Sequence, residues 1–404
     1  MPGDKSPVRV MLRADKPLLH EEGACLPLRS RHGQCRACAS ACPAQALEVS
    51  LAEVTLGDAC TGCGQCTAAC PTEALSLPEL AFLSPAAPQA EAGRSSPAQP
   101  AVPVILECRK VPADLRAPAS QEVPCLGAVR ASHLVALSAG GSAVQLMDRG
   151  WCETCDMGCH GEAPHHPAQA ALDLATLWLE AVDAAAAAPQ LVREPLPAER
   201  CPQLLPPAPE TAEKLDRRSF FRQALERPAG RSTAVSTPMG GDGKAAYPAD
   251  RRQASPDRQR LLTGLGSLAE RSGNELPSEL YPQMHVNATC CDQRLCVALC
   301  PTAALTVRDN GIGAHLQFSS ESCIACGTCV RACPTGAIQL APTGGRRGAQ
   351  TVFSHVRRPC ASCGDVYTPD AAQLESEAPS LCPSCAKSQR FMDDARKQLF
   401  GGLN

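Results

Sequence analysis

The sequence has few aromatic residues and no long apolar run. Phe, Trp and Tyr make up 3% of the 404 residues, whereas 37 prolines and 30 glycines favour loops and linkers. No apolar stretch near the N-terminus has signal-peptide length, and none elsewhere could span a bilayer, which favours a cytoplasmic location. Because apolar burial is thin, we expect bound metal to supply part of the folding free energy.

Other absences limit the function. The chain has no glycine-rich dinucleotide fingerprint, no activated nucleophile and no recognisable catalytic carboxylate pair, so no substrate-converting site is predicted. The net charge is −3 and no basic stripe is evident, which argues against a nucleic-acid partner. A twin-arginine-like peptide at 216–221 has no apolar segment behind it, so it is interpreted as part of an amphipathic helix.

Cysteine, by contrast, is abundant, with 26 residues. In a non-secreted protein, closely spaced cysteines bind metal more often than they form disulfides. Four Cys-Pro pairs are each followed by two further residues, then Ala and Leu or Ile; they begin at Cys42, Cys70, Cys300 and Cys333. This repetition predicts two related cluster-binding blocks.

Two cysteine runs have the C-x2-C-x2-C-x3-C-P spacing that holds a [4Fe-4S] cluster. They are Cys60, Cys63, Cys66 and Cys70, and Cys323, Cys326, Cys329 and Cys333. The pattern resembles two-cluster bacterial ferredoxins, in which the fourth cysteine of each run completes the neighbouring cluster. The resemblance implies one cluster on Cys42, Cys60, Cys63 and Cys66, and another on Cys300, Cys323, Cys326 and Cys329.

The partner run of the first block is irregular. Cys35 and Cys38 have the expected spacing, but the first position is occupied by His32, and Cys25 lies seven residues earlier. Either Cys25 reaches the cluster on a longer loop or His32 is a ligand. Because thiolate is the usual ligand, the pattern favours a [4Fe-4S] site on Cys25, Cys35, Cys38 and Cys70.

The partner run of the second block is irregular in another way. Gln293 occupies the second position, and Cys291 stands beside Cys290 at the start of the run. Cys291 could move into the missing place if the backbone bends. A [4Fe-4S] or [3Fe-4S] site on Cys290, Cys291, Cys296 and Cys333 is predicted, and an empty site remains the alternative.

Between the blocks, an apolar strand leads to Cys108, a Pro-Cys-Leu-Gly segment contains Cys125, and a second strand ends near Cys152. This order resembles the delta subunit of methyl-viologen-reducing hydrogenase and implies a [2Fe-2S] site. The first-choice ligands are Cys108, Cys125, Cys152 and Cys155, with Cys159 as an alternate; the competing interpretation is that these are small core residues. The histidines that follow, His160, His165 and His166, are interpreted as a solvated helix start.

Near the C-terminus, two C-x2-C pairs have the spacing of a zinc ribbon, with mononuclear iron as the alternative. The ligands would be Cys360, Cys363, Cys382 and Cys385. Cys201 stands alone in a Pro-rich stretch and is interpreted as a bystander.

The predicted fold class is α+β and multidomain, with two ferredoxin-like dicluster domains flanking a small α/β unit with a mostly parallel sheet, plus a zinc ribbon and long disordered linkers. The predicted segments are a tail (1–19), the first dicluster domain (20–82), a Pro/Ala linker (83–101), the α/β unit (102–188), a partly disordered linker with helices at 212–225 and 257–272 (189–282), the second dicluster domain (283–345) and the zinc-ribbon module with a terminal helix (346–404).

These patterns predict a multi-cluster iron–sulfur protein that relays single electrons between redox partners. Dehydrogenase, hydrogenase or reductase subunits are the expected partners, and the long linker would let the two ends swing. An accessory or maturation factor for such an enzyme is the alternative, and a redox sensor is a third hypothesis.

Overall fold

The computed structural model describes residues 9–83, 103–158, 165–201, 252, 254–310, 313–369, 373 and 379–400. Several predictions lie outside these residues, namely Cys159, His160, the 212–225 helix, the twin-arginine-like peptide and the Pro/Ala linker beyond residue 83. Every cysteine in the described ranges carries a free thiol. None of the described helices has the length and apolar character needed to cross a membrane.

The first cysteine block folds around two small antiparallel sheets, β1–β2–β5 and β3–β4. Its elements are β1 (Val10–Arg13), β2 (Lys16–His20), α1 (Leu26–Arg29), α2 (Ala37–Ser40), β3 (Leu47–Val49), β4 (Val54–Leu56), α3 (Gln65–Ala69) and β5 (Leu75–Ser76). Strand β1 and all of β2 except His20 lie within the predicted N-terminal tail. The block therefore begins earlier than predicted, because β2 pairs with the peptide that follows Cys70.

The middle unit is built on a parallel sheet of order β7–β6–β8–β9, as predicted for this segment. Its elements are β6 (Val104–Cys108), β7 (Gln121–Val123), α4 (Ala131–Ala139), β8 (Val144–Asp148), α5 (Gln169–Glu180) and β9 (Gln190–Arg193). Leu106 and Leu146 on the central strands are fully buried, as is typical of a parallel sheet covered on its faces. Strand β9 extends this unit beyond the predicted end at 188.

Helix α6 (Pro256–Ser272) has clear start and stop signals in the sequence. The Ser255 hydroxyl accepts a hydrogen bond from the Arg258 N–H at 3.5 Å, Pro256 follows, and Gly273 ends the helix at φ +73°. Its Leu265 is fully buried in the same apolar core as Leu134 of α4. The helix lies where the sequence predicts it, but it belongs to the core, so this end of the predicted swinging linker is a packed element.

The second cysteine block and the C-terminal module follow. Their elements are β10 (Pro282–Val286), α7 (Leu295–Leu299), β11 (Leu305–Asp309), β12 (Gly313–Ser319), α8 (Thr328–Ala332), β13 (Ile338–Gly344), β14 (Ala349–Val356), β15 (Arg358–Pro359), β16 (Val366–Tyr367) and α9 (Pro383–Phe400). Strand β10 pairs with β13, and β12 lies between β11 and β14. The predicted boundary at 345 is therefore wrong, because β14 completes the sheet of the second block.

Candidate iron–sulfur and metal sites

The four repeated peptides after Cys-Pro form the same turn. The third residue after each cysteine has a left-handed backbone, with φ of 47° at Gln45, 52° at Glu73, 55° at Ala303 and 63° at Gly336. In two of these turns the next N–H points at the preceding sulfur: Ala46 donates to Cys42 Sγ at 3.3 Å and Ala337 to Cys333 Sγ at 3.3 Å. At Cys333 the Thr335 hydroxyl and the Ala337 N–H outweigh burial and lower the pKa of the thiol, which favours the thiolate form that binds iron.

Four cysteines of the first block line one apolar cavity of about 430 Å³; they are Cys42, Cys60, Cys63 and Cys66. Gly62 and Gly64 have φ of +69° and +82°, which allows the loop to curl around the cavity. Burial raises the pKa of the Cys66 thiol, and the neighbouring Cys63 adds to the rise. Four sulfurs around one apolar space, two of them on buried residues (Cys63 and Cys66), fit the donor set of a [4Fe-4S] cluster.

A second cavity, of about 350 Å³, contains the irregular set of the first block: Cys25, Cys35, Cys38 and Cys70. Burial raises the pKa of Cys25 to about 12, and the nearby Cys70 contributes to that rise. His32 is not among the residues that line this cavity; Arg31 Nε lies 3.4 Å from its ring nitrogen Nε2. The longer loop therefore brings Cys25 to the place that the spacing assigns to the first ligand.

The second block repeats the first arrangement. A cavity of about 310 Å³ is lined by Cys300, Cys323, Cys326 and Cys329. The loop has left-handed residues at Ala325 and Gly327, the positions that correspond to Gly62 and Gly64. Burial raises the pKa of Cys323 to about 11. This set, too, fits a cluster with four thiolate ligands.

The remaining cysteines of the second block form a looser group. Burial raises the pKa of Cys296 to about 11, with Cys290 and Cys333 as the neighbouring thiols that raise it further. Cys291 is exposed to solvent, although it adjoins Cys290 in the chain. The structure thus brings Cys290, Cys296 and Cys333 together and leaves the Cys291 side chain at the surface.

In the middle unit the four first-choice cysteines meet at one edge of the parallel sheet, because the carboxyl ends of its strands lie at that edge. Cys108, Cys125, Cys152 and Cys155 are each at most 8% exposed and line a cavity of about 270 Å³. Lys110 Nζ lies 3.3 Å from Cys155 Sγ and donates to it. The sequence analysis did not identify this lysine. The feature that could have marked it is its position two residues after Cys108, at the end of a strand.

Two more buried polar residues adjoin this group. Asp148, Cys152 and His166 present ligand-type atoms within 4.8 Å of one another. Burial raises the pKa of Cys152, and the Asp148 carboxylate raises it further. His166 is 4% exposed, so its interpretation as part of a solvated helix start is wrong.

The C-terminal cysteines form a compact set. Ligand atoms of Cys360, Cys363, Cys382 and Cys385 all lie within 4.8 Å of one another. The N–H groups of Ser362 and Cys382 donate to Cys360 Sγ at 3.4 and 3.2 Å, and these bonds contribute to lowering the pKa of Cys360 to about 6. The set fits a closed tetrahedral site. Cys201 packs against the apolar cluster that contains Cys108, Cys125 and Cys155, and its thiol donates to the Leu196 carbonyl at 3.7 Å.

The middle unit contacts the first block at its cysteines. Cys63 and Cys125 belong to one buried apolar cluster, and the nearby Cys63 contributes to the raised pKa of Cys125, after burial as the main cause. Arg109 Nη2 donates to the Gly62 carbonyl at 2.6 Å. Gln65 Nε2 donates to the Met157 carbonyl at 2.6 Å. These bonds hold the 60–66 loop against the middle cysteine group.

The first block contacts the second block through Arg331, beside the loops that carry Cys35 and Cys326. Burial raises the pKa of Cys35, and the nearby Cys326 adds to this rise. Arg331 donates through Nε to the His32 carbonyl at 2.7 Å and through Nη2 to the Cys326 carbonyl at 2.9 Å. The arginine thus joins the two cysteine loops through their backbones.

Within each block the two cysteine groups are also neighbours. Cys38 is among the thiols that raise the pKa of Cys66, and Cys296 is among those that raise the pKa of Cys329, in both cases after burial. The five groups therefore form one row. Its order is the Cys108 group, the Cys60 group, the Cys25 group, the Cys323 group and the Cys290 group.

Comparison with protein families and curated proteins supports the cluster assignment. Residues 33–75 match a 4Fe-4S dicluster domain, and residues 316–339 match a 4Fe-4S binding domain. The prediction of [4Fe-4S] clusters in both cysteine blocks is thereby confirmed.

Similar proteins include the polyferredoxin-like subunit of an aliphatic sulfonate oxidoreductase from Pyrococcus furiosus, 46% identical over 68 residues, or 16% of this chain and 38% of the relative. The thiosulfate reductase electron transfer subunit PhsB of Salmonella typhi is 31% identical over 133 residues, 33% of this chain and 60% of the relative. The formate dehydrogenase iron-sulfur subunit of Wolinella succinogenes is 42% identical over 60 residues, 14% of this chain and 28% of the relative. The chain covers less than two thirds of each. Together these matches support an electron-transfer role.

Proposed function

We propose that this chain relays single electrons along a row of five metal clusters, from the buried group in the middle unit to the more exposed Cys290 group, or in reverse. The observation that carries the proposal is Arg331, which donates to the His32 carbonyl of the first block and to the Cys326 carbonyl of the second. It joins two dicluster blocks that would otherwise be separate relays. Electron tunnelling falls steeply with distance, so neighbouring groups in a row are what a relay requires.

The proposed ligand sets follow the cavities. The three best-enclosed [4Fe-4S] sites use Cys42, Cys60, Cys63 and Cys66; Cys25, Cys35, Cys38 and Cys70; and Cys300, Cys323, Cys326 and Cys329. The middle unit would hold a [2Fe-2S] cluster on Cys108, Cys125, Cys152 and Cys155. Lys110 would stabilise its sulfur charge, because a donor to a cluster sulfur favours the reduced state.

The partners follow from the relatives. Each similar protein reported above is named as a subunit of an oxidoreductase, so subunits of a dehydrogenase, hydrogenase or reductase would supply and remove the electrons. Each cluster would take up one electron at the metal while the fold changes little.

The relay is tested by reducing the anaerobically purified chain stepwise and following it by electron paramagnetic resonance. We expect about four irons and four sulfides for each cubane site, with several clusters reducible at physiological potentials. Iron and acid-labile sulfide analysis of the same sample gives the cluster count. The proposal is abandoned if the chain carries clusters but none accepts an electron in that range.

A separate prediction concerns the C-terminal site, which we propose holds zinc. Cys382→Ser removes one of four thiolates from a site with no open position, so about one zinc per chain should be lost while iron content stays unchanged. Elemental analysis of both proteins measures this. Cys201→Ser, which alters a thiol outside the set, is the matched control. Loss of iron in place of zinc would assign the site to mononuclear iron.

A further inference from the structure

The outermost group of the row has a feature that cysteine spacing does not show. The loop from Cys290 keeps the regular cluster-binding backbone, with left-handed residues at Asp292 (φ 50°) and Arg294 (φ 58°). These are the positions of Ala325 and Gly327 in the regular run of the same block. Since the backbone does not bend to bring Cys291 inward, Gln293 keeps the second ligand position and the site has three thiols.

A histidine on strand β14 lies beside this site. His355 lies on β14, where it pairs with Ala314 of β12, and its side chain is 8% exposed. Its Nε2 lies 3.3 Å from Cys290 Sγ. Phe353 packs against the imidazole, with ring centroids 4.7 Å apart. The ring is therefore held by packing as well as by the sulfur contact.

Further contacts tie the loop to the chain around His355. Asp292 Oδ2 accepts hydrogen bonds from Arg357 Nη2 at 3.3 Å and from Thr368 Oγ1 at 3.0 Å. Arg357 is two residues beyond His355 and also forms an ion pair with Asp309. The left-handed backbone of Asp292, which costs free energy in a non-glycine residue, is thus retained by three side-chain partners, including Arg294.

We propose that His355 donates a hydrogen bond from Nε2 to the Cys290 thiolate and so raises the reduction potential of the outermost cluster, which Cys290, Cys296 and Cys333 hold. A donor to a ligand sulfur stabilises the extra negative charge of the reduced cluster. His355 is then a positioning and tuning residue outside the ligand set, and Cys291 is not a ligand. This inference rests on the proposed function, because it requires a reducible cluster at this site.

The test compares His355→Leu with the unmodified chain by potentiometric titration followed by electron paramagnetic resonance. The signal of the outermost cluster is identified by its loss in the double variant Cys290→Ala with Cys296→Ala. We expect His355→Leu to lower the potential of that cluster while iron, sulfide and zinc content stay unchanged. His355→Gln, whose amide can still donate, should retain part of the potential. His315→Leu is the matched control, because His315 lies in the same sheet and bonds to Ser354 at 2.9 Å.

Three outcomes would overturn the inference. An unchanged potential in His355→Leu means that the donor has no effect on the cluster. Loss of iron from this site in both His355 variants means that His355 is a ligand or a structural requirement. Loss of iron in Cys291→Ser means that Cys291 is a ligand after all. A wild-type chain in which no cluster can be reduced would instead contradict the proposed function, so the two failures are distinguishable.

Discussion

Removing the cluster at the junction should magnetically uncouple the two halves of the chain. The double variant Cys323→Ala with Cys326→Ala should lose about four irons. The electron paramagnetic resonance signal of the reduced neighbouring cluster should become narrower and simpler. The ligands of that cluster are Cys25, Cys35, Cys38 and Cys70. The physical reason is that neighbouring reduced clusters carry unpaired spins that broaden each other's signals. Arg331 joins the loops of these two groups, through the His32 and Cys326 carbonyls.

The control for this prediction removes a cluster from the same block but away from the junction. Cys290→Ala with Cys296→Ala should leave the signals of the first block unchanged, because the Cys290 group is one step further along the row. Electron paramagnetic resonance of both dithionite-reduced variants makes the comparison. If the two double variants alter the first block equally, or if neither does, the two blocks do not meet at Cys326.

The regular ligand sets could be predicted from sequence because their chemistry is local. In each of the two regular runs, which begin at Cys60 and Cys323, three ligands lie in one short loop. A loop of that length can surround only one cluster. The repeated peptide after each Cys-Pro likewise specifies its turn, since a left-handed residue recurs at Gln45, Glu73 and Ala303 even without glycine. The parallel sheet of the middle unit follows from the same kind of local pattern, with apolar strands and helices in alternation.

The features that the sequence does not predict depend on contacts between residues that are far apart in the chain. His355 has no nearby motif that marks it, because it reaches Cys290 through the pairing of strand β14 with β12. The order of the five groups depends on how the blocks dock, which spacing within a block does not specify. The same limit applies to the predicted linker: the sequence predicts helix α6 but does not show that its polar side chains contact both blocks.

Helix α6 is the basis of the second prediction, which concerns the docking of the two blocks. Arg258 donates to three backbone carbonyls of the second half, Glu321 and Leu280 at 2.7 Å and Ser320 at 2.9 Å. On the other side, Arg260 pairs with Glu73 of the first block at 3.0 Å. Ser255 Oγ also donates to the Pro71 carbonyl at 2.9 Å. Helix α6 therefore fixes the position of the two blocks relative to each other, and Arg258 provides its contacts to the second block.

Arg258→Ala should weaken the docking of the second block by about 2 to 4 kcal/mol, since three carbonyls lose a charged donor. Hydrogen exchange around residues 278–284 and 319–322 should accelerate, and the magnetic coupling across Cys35 and Cys326 should weaken in the same sample. Arg271→Ala is the matched control, because Arg271 lies on the same helix and, among the described residues, donates to the Ala139 carbonyl alone, at 2.8 Å on the surface. Its effect should stay near 1 kcal/mol or below, typical of a single hydrogen bond. Equal exchange and coupling in the two variants would show that the blocks dock without Arg258, and that other contacts, such as that of Arg331, maintain the continuity of the row.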